Sequence, residues 1–175
     1  MPEFEIRPAA LADLDALVEL RLAVQAHSER SSSAVWRMTP EAKARAGDEL
    51  AEQIASSDAL VVMACGAGGE PIGMAVGQVQ RQEKYEPNVS GMIRRVYVSE
   101  GWRRRGVGQA MIRGLLGFFR EKGVEKLTLR YIPGNMEAEG FWSSLGFRPS
   151  LIQADAKRSV VAELVGVDED NLDSY

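Results

Sequence analysis

The stretch "RRRGVGQA" at residues 103–110 combines residue types that can bind an anion. Gly106 and Gly108 let the backbone approach a ligand closely, because neither carries a Cβ. The three arginines before them can supply positive charge and hydrogen bonds to a phosphate. A turn of this composition is either a solvated connection or a phosphate cradle, and composition alone leaves both interpretations open.

The flanking residues place this turn between a strand and a helix. "GMIRRVYVS" at 91–99 predicts a strand, and the apolar spacing after the turn predicts a helix that ends at Gly123. The first N–H groups of a helix have no partner on that helix, which favours the phosphate interpretation. Two well-known phosphate motifs are excluded. A P-loop needs lysine after its last glycine, where Gln109 stands, and the dinucleotide fingerprint needs a small residue in place of Met111.

The remaining segments predict a mixed α/β domain. Further strands are predicted at 4–7, 59–66, 71–80, 126–132, 147–153 and 158–165. Helices are predicted from Leu11 to about His27, from a cap at Thr39, and around Ala138–Leu145. We expect a single domain over 1–165 and an acidic C-terminal tail over 166–175.

Composition narrows the functional classes. The chain has 175 residues and a formal net charge of -4, which argues against a nucleic-acid partner. No apolar stretch is long enough to span a membrane, and the first residues show no pattern typical of a secretory signal. Cys65 is the only cysteine, so an internal disulfide is excluded and a cytoplasmic protein is expected.

Two segments carry a pair of motifs, "VYVSEGWRRRGVGQAMI" and "NMEAEGFWSSLGF". Together, over about 92–147, they resemble the GNAT superfamily of N-acetyltransferases. The matching positions of the acetyl-CoA signature are Arg103, Gly106 and Gly108, and those of the downstream pattern are Asn135, Ala138, Phe141-Trp142 and Gly146-Phe147. The resemblance implies an α/β (α+β) fold, the GNAT fold, with a mixed central sheet of about seven strands flanked by about four helices.

The resemblance also implies a binding site for acetyl-CoA as co-substrate. The backbone of the turn would hold the pyrophosphate through Arg104, Arg105, Gly106, Val107, Gly108, Gln109 and Ala110. Arg103 or Arg105 would add ionic contacts, including to the 3′-phosphate. Backbone groups of Val96, Tyr97 and Val98 would pair with the pantetheine arm where their strand splays from the strand of Leu129 and Tyr131. Asn135 would hydrogen-bond the arm, with Phe141 and Trp142 flanking it.

The implied reaction is direct attack of an amine on the thioester, with both substrates bound and no metal. Members of the family often use a tyrosine to protonate the leaving sulfur, and this sequence has Trp142 at that position. The indole of tryptophan is not a usable acid near neutral pH. Tyr131 is the candidate to replace this tyrosine as proton donor. The alternative is that Tyr131 is a half-buried strand residue. Glu83 and Glu86 can act as general base through water, or else are solvated loop carboxylates.

The resemblance implies that the acceptor is a primary amine of a small molecule or a protein amino group. The resemblance implies that the first two helices and the loops at 28–38 and 81–90 select it, and that a homodimer can form. A non-catalytic acyl-CoA-binding sensor or interaction module is the alternative, favoured by Trp142. A nucleotide-binding protein is a weaker third hypothesis.

Overall fold

A mixed five-stranded sheet is the centre of the computed structural model, which describes residues 3–31, 37–84 and 86–166. Within these residues the strands are β1 Phe4–Pro8, β2 Ala59–Gly66, β3 Pro71–Arg81, β4 Val89–Val98 and β5 Lys126–Leu129. They lie in sequence order, with antiparallel neighbours from β1 to β4 and a parallel pairing of β4 with β5. The predicted mixed α/β fold class is confirmed, with five strands where about seven were predicted.

Six α-helices accompany these strands in the described part of the chain. They are α1 Leu14–Ser31, α2 Pro40–Ala44, α3 Ala46–Ala55, α4 Val107–Glu121, α5 Met136–Ser144 and α6 Arg158–Val165. The predicted cap of the second helix is present, since the Ala42 amide donates to Oγ1 of Thr39 over 3.2 Å.

Within the same described ranges, none of these helices combines the length and the apolar content needed to cross a membrane. Nor do three or more His, Cys, Asp or Glu side chains there come together in a group that could hold a metal ion.

The chain divides into two compact units at Ala138/Glu139. In the second unit, the strands predicted at 147–153 and 158–165 are wrong, because the first segment has no regular structure and the second is α6. The β-branched residues suggested a strand, but strand propensity is only realised when a neighbouring strand is available for pairing. Gly166, with φ 72°, ends α6 in the left-handed conformation typical of helix termini. The single domain over 1–165 stays a prediction, and residues 167–175 lie outside the described part.

The core of the first unit lies on both faces of the sheet. On one face, Leu17 and Leu20 of α1 and Leu50 of α3 pack against alternate residues of β2 and β3. On the other face, α4 buries Leu115 and Phe119. The approach of α4 is close at Gly77 of β3, where a Cβ would come within 2.8 Å of the Phe119 ring. The two layers fix β3 and β4 in the middle of the unit.

Candidate functional site

β4 has one open edge over its last residues. It pairs with β5 only from Ser90 to Ile93, whereas its pairing with β3 continues to Val98. The register with β3 shifts so that Val76 faces Arg95 and Gly77 faces Ile93, which leaves Arg94 as the extra residue of a β-bulge. A bulge bends its strand and increases its twist. The pairing with β5 therefore stops at the bulge, and the predicted separation of the two strands begins there.

The open edge exposes the backbone groups of alternate residues. The Ser99 amide donates to the Ile72 carbonyl over 2.8 Å, so Ser99 faces β3. In an antiparallel pair the residues that face the same neighbour alternate. Tyr97 therefore also directs its N–H and C=O to β3, while Val96 and Val98 direct theirs to the open edge. Of the three residues assigned to the pantetheine arm, the geometry makes Val96 and the N–H of Val98 available, because the Val98 carbonyl accepts a hydrogen bond from Arg103.

Arg103 and Arg105 have partners inside the protein. Nε of Arg103 donates to the Val98 carbonyl over 3.1 Å, and its Nη1 lies 3.2 Å from a carboxylate oxygen of Glu137. Arg105 lies 5.3 Å from the ring centroid of Trp102, and its Nη1 lies 3.7 Å from Glu3. Arg103 thus ties the turn to the end of β4.

Arg104 differs from its two neighbours. It has φ 62°, an uncommon value for a residue with a side chain, and its side chain is exposed. Among the residues that the structure describes, it has no hydrogen-bond or ion-pair partner. Its guanidinium is therefore free to bind an anion.

The start of α4 presents unpaired backbone amides. Gly106 is the N-cap residue, with φ 83° and no side chain to cap the helix. The first helical hydrogen bond runs from Ala110 N to the Gly106 carbonyl over 3.0 Å, so the amides of 107–109 have no acceptor on their own helix. Apart from its two chain neighbours, no atom of the described residues lies within 4 Å of the position that a Cβ on Gly106 would take. These features fit a diphosphate, whose negative charge the helix dipole also favours.

Asn135 caps α5. Its Oδ1 accepts a hydrogen bond from the Ala138 amide over 3.1 Å, which uses the oxygen and leaves the side-chain NH₂ as a donor. The predicted bond from Asn135 to the pantetheine arm is compatible with this arrangement and stays a prediction.

Phe141 and Trp142 belong to an aromatic cluster of the second unit. The Trp142 ring makes edge-to-face contacts with Phe141, at 4.8 Å between centroids, and with Phe147, at 5.5 Å. Trp142 is buried. Its packing role is thus observed, while its contact with coenzyme A stays a prediction.

The three candidate catalytic residues are not brought together. β5 ends at Leu129, so Tyr131 lies beyond the strand rather than at its end, and it is half-buried. Glu83 and Glu86 are exposed in the loop between β3 and β4, which is closed by a hydrogen bond from Gln82 N to the Asn88 carbonyl. This loop joins β4 at Val89, the end of the strand that lies away from Val96. At ~3.3 Å per residue, Val89 and Val96 are about 23 Å apart along the strand. The structure therefore does not place these two carboxylates beside the open edge.

The structure contains a cluster of charged residues that the sequence analysis did not predict. Arg95 of β4 donates from Nη2 to Oε1 of Glu49 over 3.1 Å, and Arg21 of α1 donates to Oε2 of the same carboxylate. Both arginine side chains are nearly buried, whereas that of Glu49 is 39% exposed. The sequence feature that could have revealed this cluster is Arg21, because it follows Leu14 and Leu17 at helical spacing and so lies on the apolar face of α1.

The cluster has a positive potential. Burial raises the pKa of Glu49, but the charges of Arg95 and Arg21 oppose this and the net shift is downward. Burial, followed by repulsion from Arg21, lowers the pKa of Arg95. The pKa of Glu49 is thus lowered by its two guanidinium partners, whereas that of Arg95 is lowered mainly by burial.

Comparison with known proteins decides the family. Residues 26–147 match the model of the "Acetyltransferase (GNAT) family". The chain belongs to the GNAT acetyltransferase family. It is accordingly an acetyl-CoA-dependent N-acetyltransferase, as the two motifs predicted.

Individual relatives agree with this assignment. Aminoglycoside N(6')-acetyltransferase type 1 of Stenotrophomonas maltophilia is 27% identical over 104 residues, which cover 57% of this chain and 67% of that protein. The structure of aminoglycoside 6'-N-acetyltransferase AAC(6')-Ih from Acinetobacter baumannii matches with a TM-score of 0.71 at 13% identity, covering 89% of this chain and 97% of that one. AAC(6')-Iy, solved with a bisubstrate analogue that contains CoA, matches with a TM-score of 0.70 at 18% identity and covers 89% and 98%. At these identities the structural matches show the shared GNAT fold.

Proposed function

We propose that this GNAT acetyltransferase transfers an acetyl group from acetyl-CoA to a primary amine of a small molecule, by direct attack in a ternary complex. One observation carries the proposal: the open edge of β4 leads, through the turn at 99–106, into the unpaired amides at the start of α4. A pantetheine arm and a pyrophosphate need these two surfaces in this order.

The binding residues follow from this arrangement. The amides at 107–109 and the free guanidinium of Arg104 hold the pyrophosphate, with the glycines admitting it. The arm pairs with Val96 and Val98 as an added strand would. Arg103 acts indirectly, because its bonds to Val98 and Glu137 fix the turn. Contacts of the arm with Asn135, Phe141 and Trp142 stay predictions.

The chemistry needs a donor for the thioester oxygen, which gains negative charge during attack. We assign the Val96 N–H to this role, because it is the first amide on the open edge after the bulge. The acceptor amine must be unprotonated to attack. As the C–N bond forms and the C–S bond breaks, the amine loses a proton, which the departing thiolate can take up. A cysteine-like thiol has a pKa of about 8.5, so the thiolate can leave without a dedicated acid, and Tyr131 is retained only as a candidate donor.

The similarity to aminoglycoside acetyltransferases supports a small-molecule amine over a protein amino group. The alternative is a non-catalytic acyl-CoA-binding module. The buried Trp142 at the position of the family tyrosine favours it, whereas membership of the GNAT acetyltransferase family favours the enzyme. Thiol release from acetyl-CoA with a broad panel of amines separates the two. Tight binding of coenzyme A without thiol release would favour the module.

The turn can be tested with the substitution Gly106→Val. A β-branched side chain at φ 83° costs about 1–3 kcal/mol of stability and fills the space in front of the amides. A typical domain tolerates such a loss without unfolding. We therefore expect a folded variant whose affinity for coenzyme A, measured by titration calorimetry, falls at least 100-fold.

Gly117→Val is the matched control for this test. It adds the same side chain to the interior of α4, where no atom of the described residues lies within 4 Å of the new Cβ, apart from its chain neighbours and the backbone of the helix itself. Its affinity for coenzyme A should equal that of the wild type. An unchanged affinity in folded Gly106→Val would refute the assignment of the turn.

Three further expectations remain proposals. We retain one domain over 1–165, a homodimer, and a cytoplasmic location. Sedimentation velocity tests the dimer, and limited proteolysis tests the domain boundary.

A further inference from the structure

Three charged residues meet under β4 on the face that packs against α1 and α3, and buried Gln53 lies one helical turn from one of them. We call Arg21, Glu49, Gln53 and Arg95 the guanidinium cluster. Glu49 binds Arg95 through one carboxylate oxygen and Arg21 through the other. Gln53 stands one helical turn after Glu49 on α3, and therefore on the same side of that helix. The cluster holds two positive charges and one negative charge.

The guanidinium cluster has unused hydrogen-bonding groups. Nε of Arg21, Nη1 of Arg95 and Oε1 of Gln53 are all buried and have no hydrogen-bond partner among the residues that the structure describes. Arg21 and Gln53 are each only 9% exposed. Buried polar atoms without a partner are rare in proteins and are destabilising, so each points to a missing partner. Two guanidinium donors held around one carboxylate call for an anionic acceptor.

The position of the cluster relates it to the proposed reaction centre. Arg95 directly precedes Val96, whose amide we assign to the thioester oxygen, and its side chain lies on the same face as Tyr97. The exposed part of Glu49 connects the cluster to solvent. Because Arg95 and Val96 are adjacent on β4, a small molecule bound to the guanidiniums would lie close to the proposed thioester site.

We propose that the guanidinium cluster binds a carboxylate of the acceptor substrate, so that the acceptor is an amine that also carries a carboxylate, such as an amino acid. This inference rests on the proposed function. The net positive charge of the cluster disfavours polycationic amines, a class that includes aminoglycosides. Gln53 Oε1 accepts an N–H or O–H of the same substrate. The lowered pKa of Arg95, caused by burial and by Arg21, agrees with a positive potential that Glu49 does not fully neutralise.

Paired substrates test the inference with the wild-type protein. Lysine and cadaverine differ only by a carboxylate, as do ornithine and putrescine. Thiol release from acetyl-CoA should give a kcat/KM at least tenfold higher for the amino acid of at least one pair. The inference is overturned if the decarboxylated amines, or an aminoglycoside such as neamine, are acetylated as well or better, or if no amino acid in a wider panel is used.

Calorimetry with coenzyme A separates failure of this inference from failure of the proposed function. If the wild-type protein does not bind coenzyme A, both this inference and the proposed function are contradicted. Normal binding together with a preference for amines that lack a carboxylate would overturn only the guanidinium cluster's role.

Arg95→Gln tests the cluster directly. It should raise KM for the amino acid at least tenfold and leave KM for its decarboxylated partner unchanged. Arg113→Gln is the control, since Arg113 is exposed on α4, which packs on the opposite face of the sheet, and it should change neither value. If Arg95→Gln does not fold, Arg95→Lys is used, which keeps the charge but loses the forked donor geometry and should show the same selective rise. An equal rise for both amines would indicate a purely structural role and overturn the proposal.

Discussion

Glu49 is the residue on which two buried charges depend. It is partly exposed, but Arg21 and Arg95 have side chains that are only 11% and 14% exposed and share its carboxylate. A buried cation that loses its counter-ion is strongly destabilising, because the charge then lies in a poorly solvated site. Glu49 therefore has a structural role as well as its place in the guanidinium cluster.

Replacing this carboxylate should have a measurable cost. We expect Glu49→Gln to lower the free energy of unfolding by about 2–3 kcal/mol, less than the 3–5 kcal/mol typical of a fully buried pair because Glu49 is 39% exposed. Urea unfolding monitored by circular dichroism measures the change. Glu52→Gln, an exposed position on the same helix, should stay within ~0.5 kcal/mol of the wild type. Equal stability of the two variants would contradict the structural role of Glu49.

At the scale of elements, an ion pair fixes the connection between β1 and α1. Nη1 and Nη2 of Arg7 donate to the two carboxylate oxygens of Asp13 over 2.7 and 2.6 Å, and the Ala10 amide donates to the same carboxylate over 2.8 Å. The bonds from Arg7, followed by the bond from Ala10, lower the pKa of Asp13 from 3.8 to about 2. The carboxylate is thus stabilised in its charged form by the folded state.

This shift predicts how stability depends on pH. Because the folded pKa of Asp13 is below the unfolded one, its contribution is fully present above about pH 4 and is lost as the pH falls towards 2. Asp13→Asn should lower the free energy of unfolding by ~1–2 kcal/mol at pH 7, and this deficit should shrink towards pH 2. Urea unfolding at several pH values tests the trend. Asp155→Asn, at an exposed position, should show no such deficit, and a pH-independent deficit for Asp13→Asn would refute the account.

The bulge at Arg94 is the element that connects fold and site. It ends the pairing of β4 with β5, and it sets which residues after it face β3, the open edge and α3. Without the extra residue the alternation along β4 would be reversed from Arg95 onward. A single inserted residue thus decides that Val96 and Val98 present their amides and that Arg95 reaches Glu49.

At the scale of the molecule, coenzyme A should stabilise the folded state. A ligand that binds only the folded protein adds about 2.7 kcal/mol at a concentration of 100 times its Kd. For a chain of this size that corresponds to a rise in Tm of roughly 5–10 °C. Thermal denaturation with coenzyme A, ATP or NAD measures this shift. An equal or larger rise with ATP or NAD would instead favour the nucleotide-binding hypothesis.

Features encoded in contiguous residues could be predicted from the sequence. The turn at 103–110, the helix after it and the cap at Thr39 depend on interactions within a few positions, so residue types and spacing were sufficient. The strand predicted at 158–165 was wrong for the opposite reason. Whether its β-branched residues form a strand depends on a partner elsewhere in the chain, and that information is not local.

By itself the sequence determined the family, the glycine turn and the order of elements from β1 to α5, except that the helix predicted from Thr39 is divided into α2 and α3. Each of these features is encoded by local pattern. Only the tertiary structure decided the direction of the amides on β4, the remote position of Glu83 and Glu86, and the meeting of Arg21, Glu49 and Arg95. Strand register and packing bring together residues that are up to 74 positions apart, from 21 to 95. No local pattern can specify such contacts, because they depend on how whole elements pair.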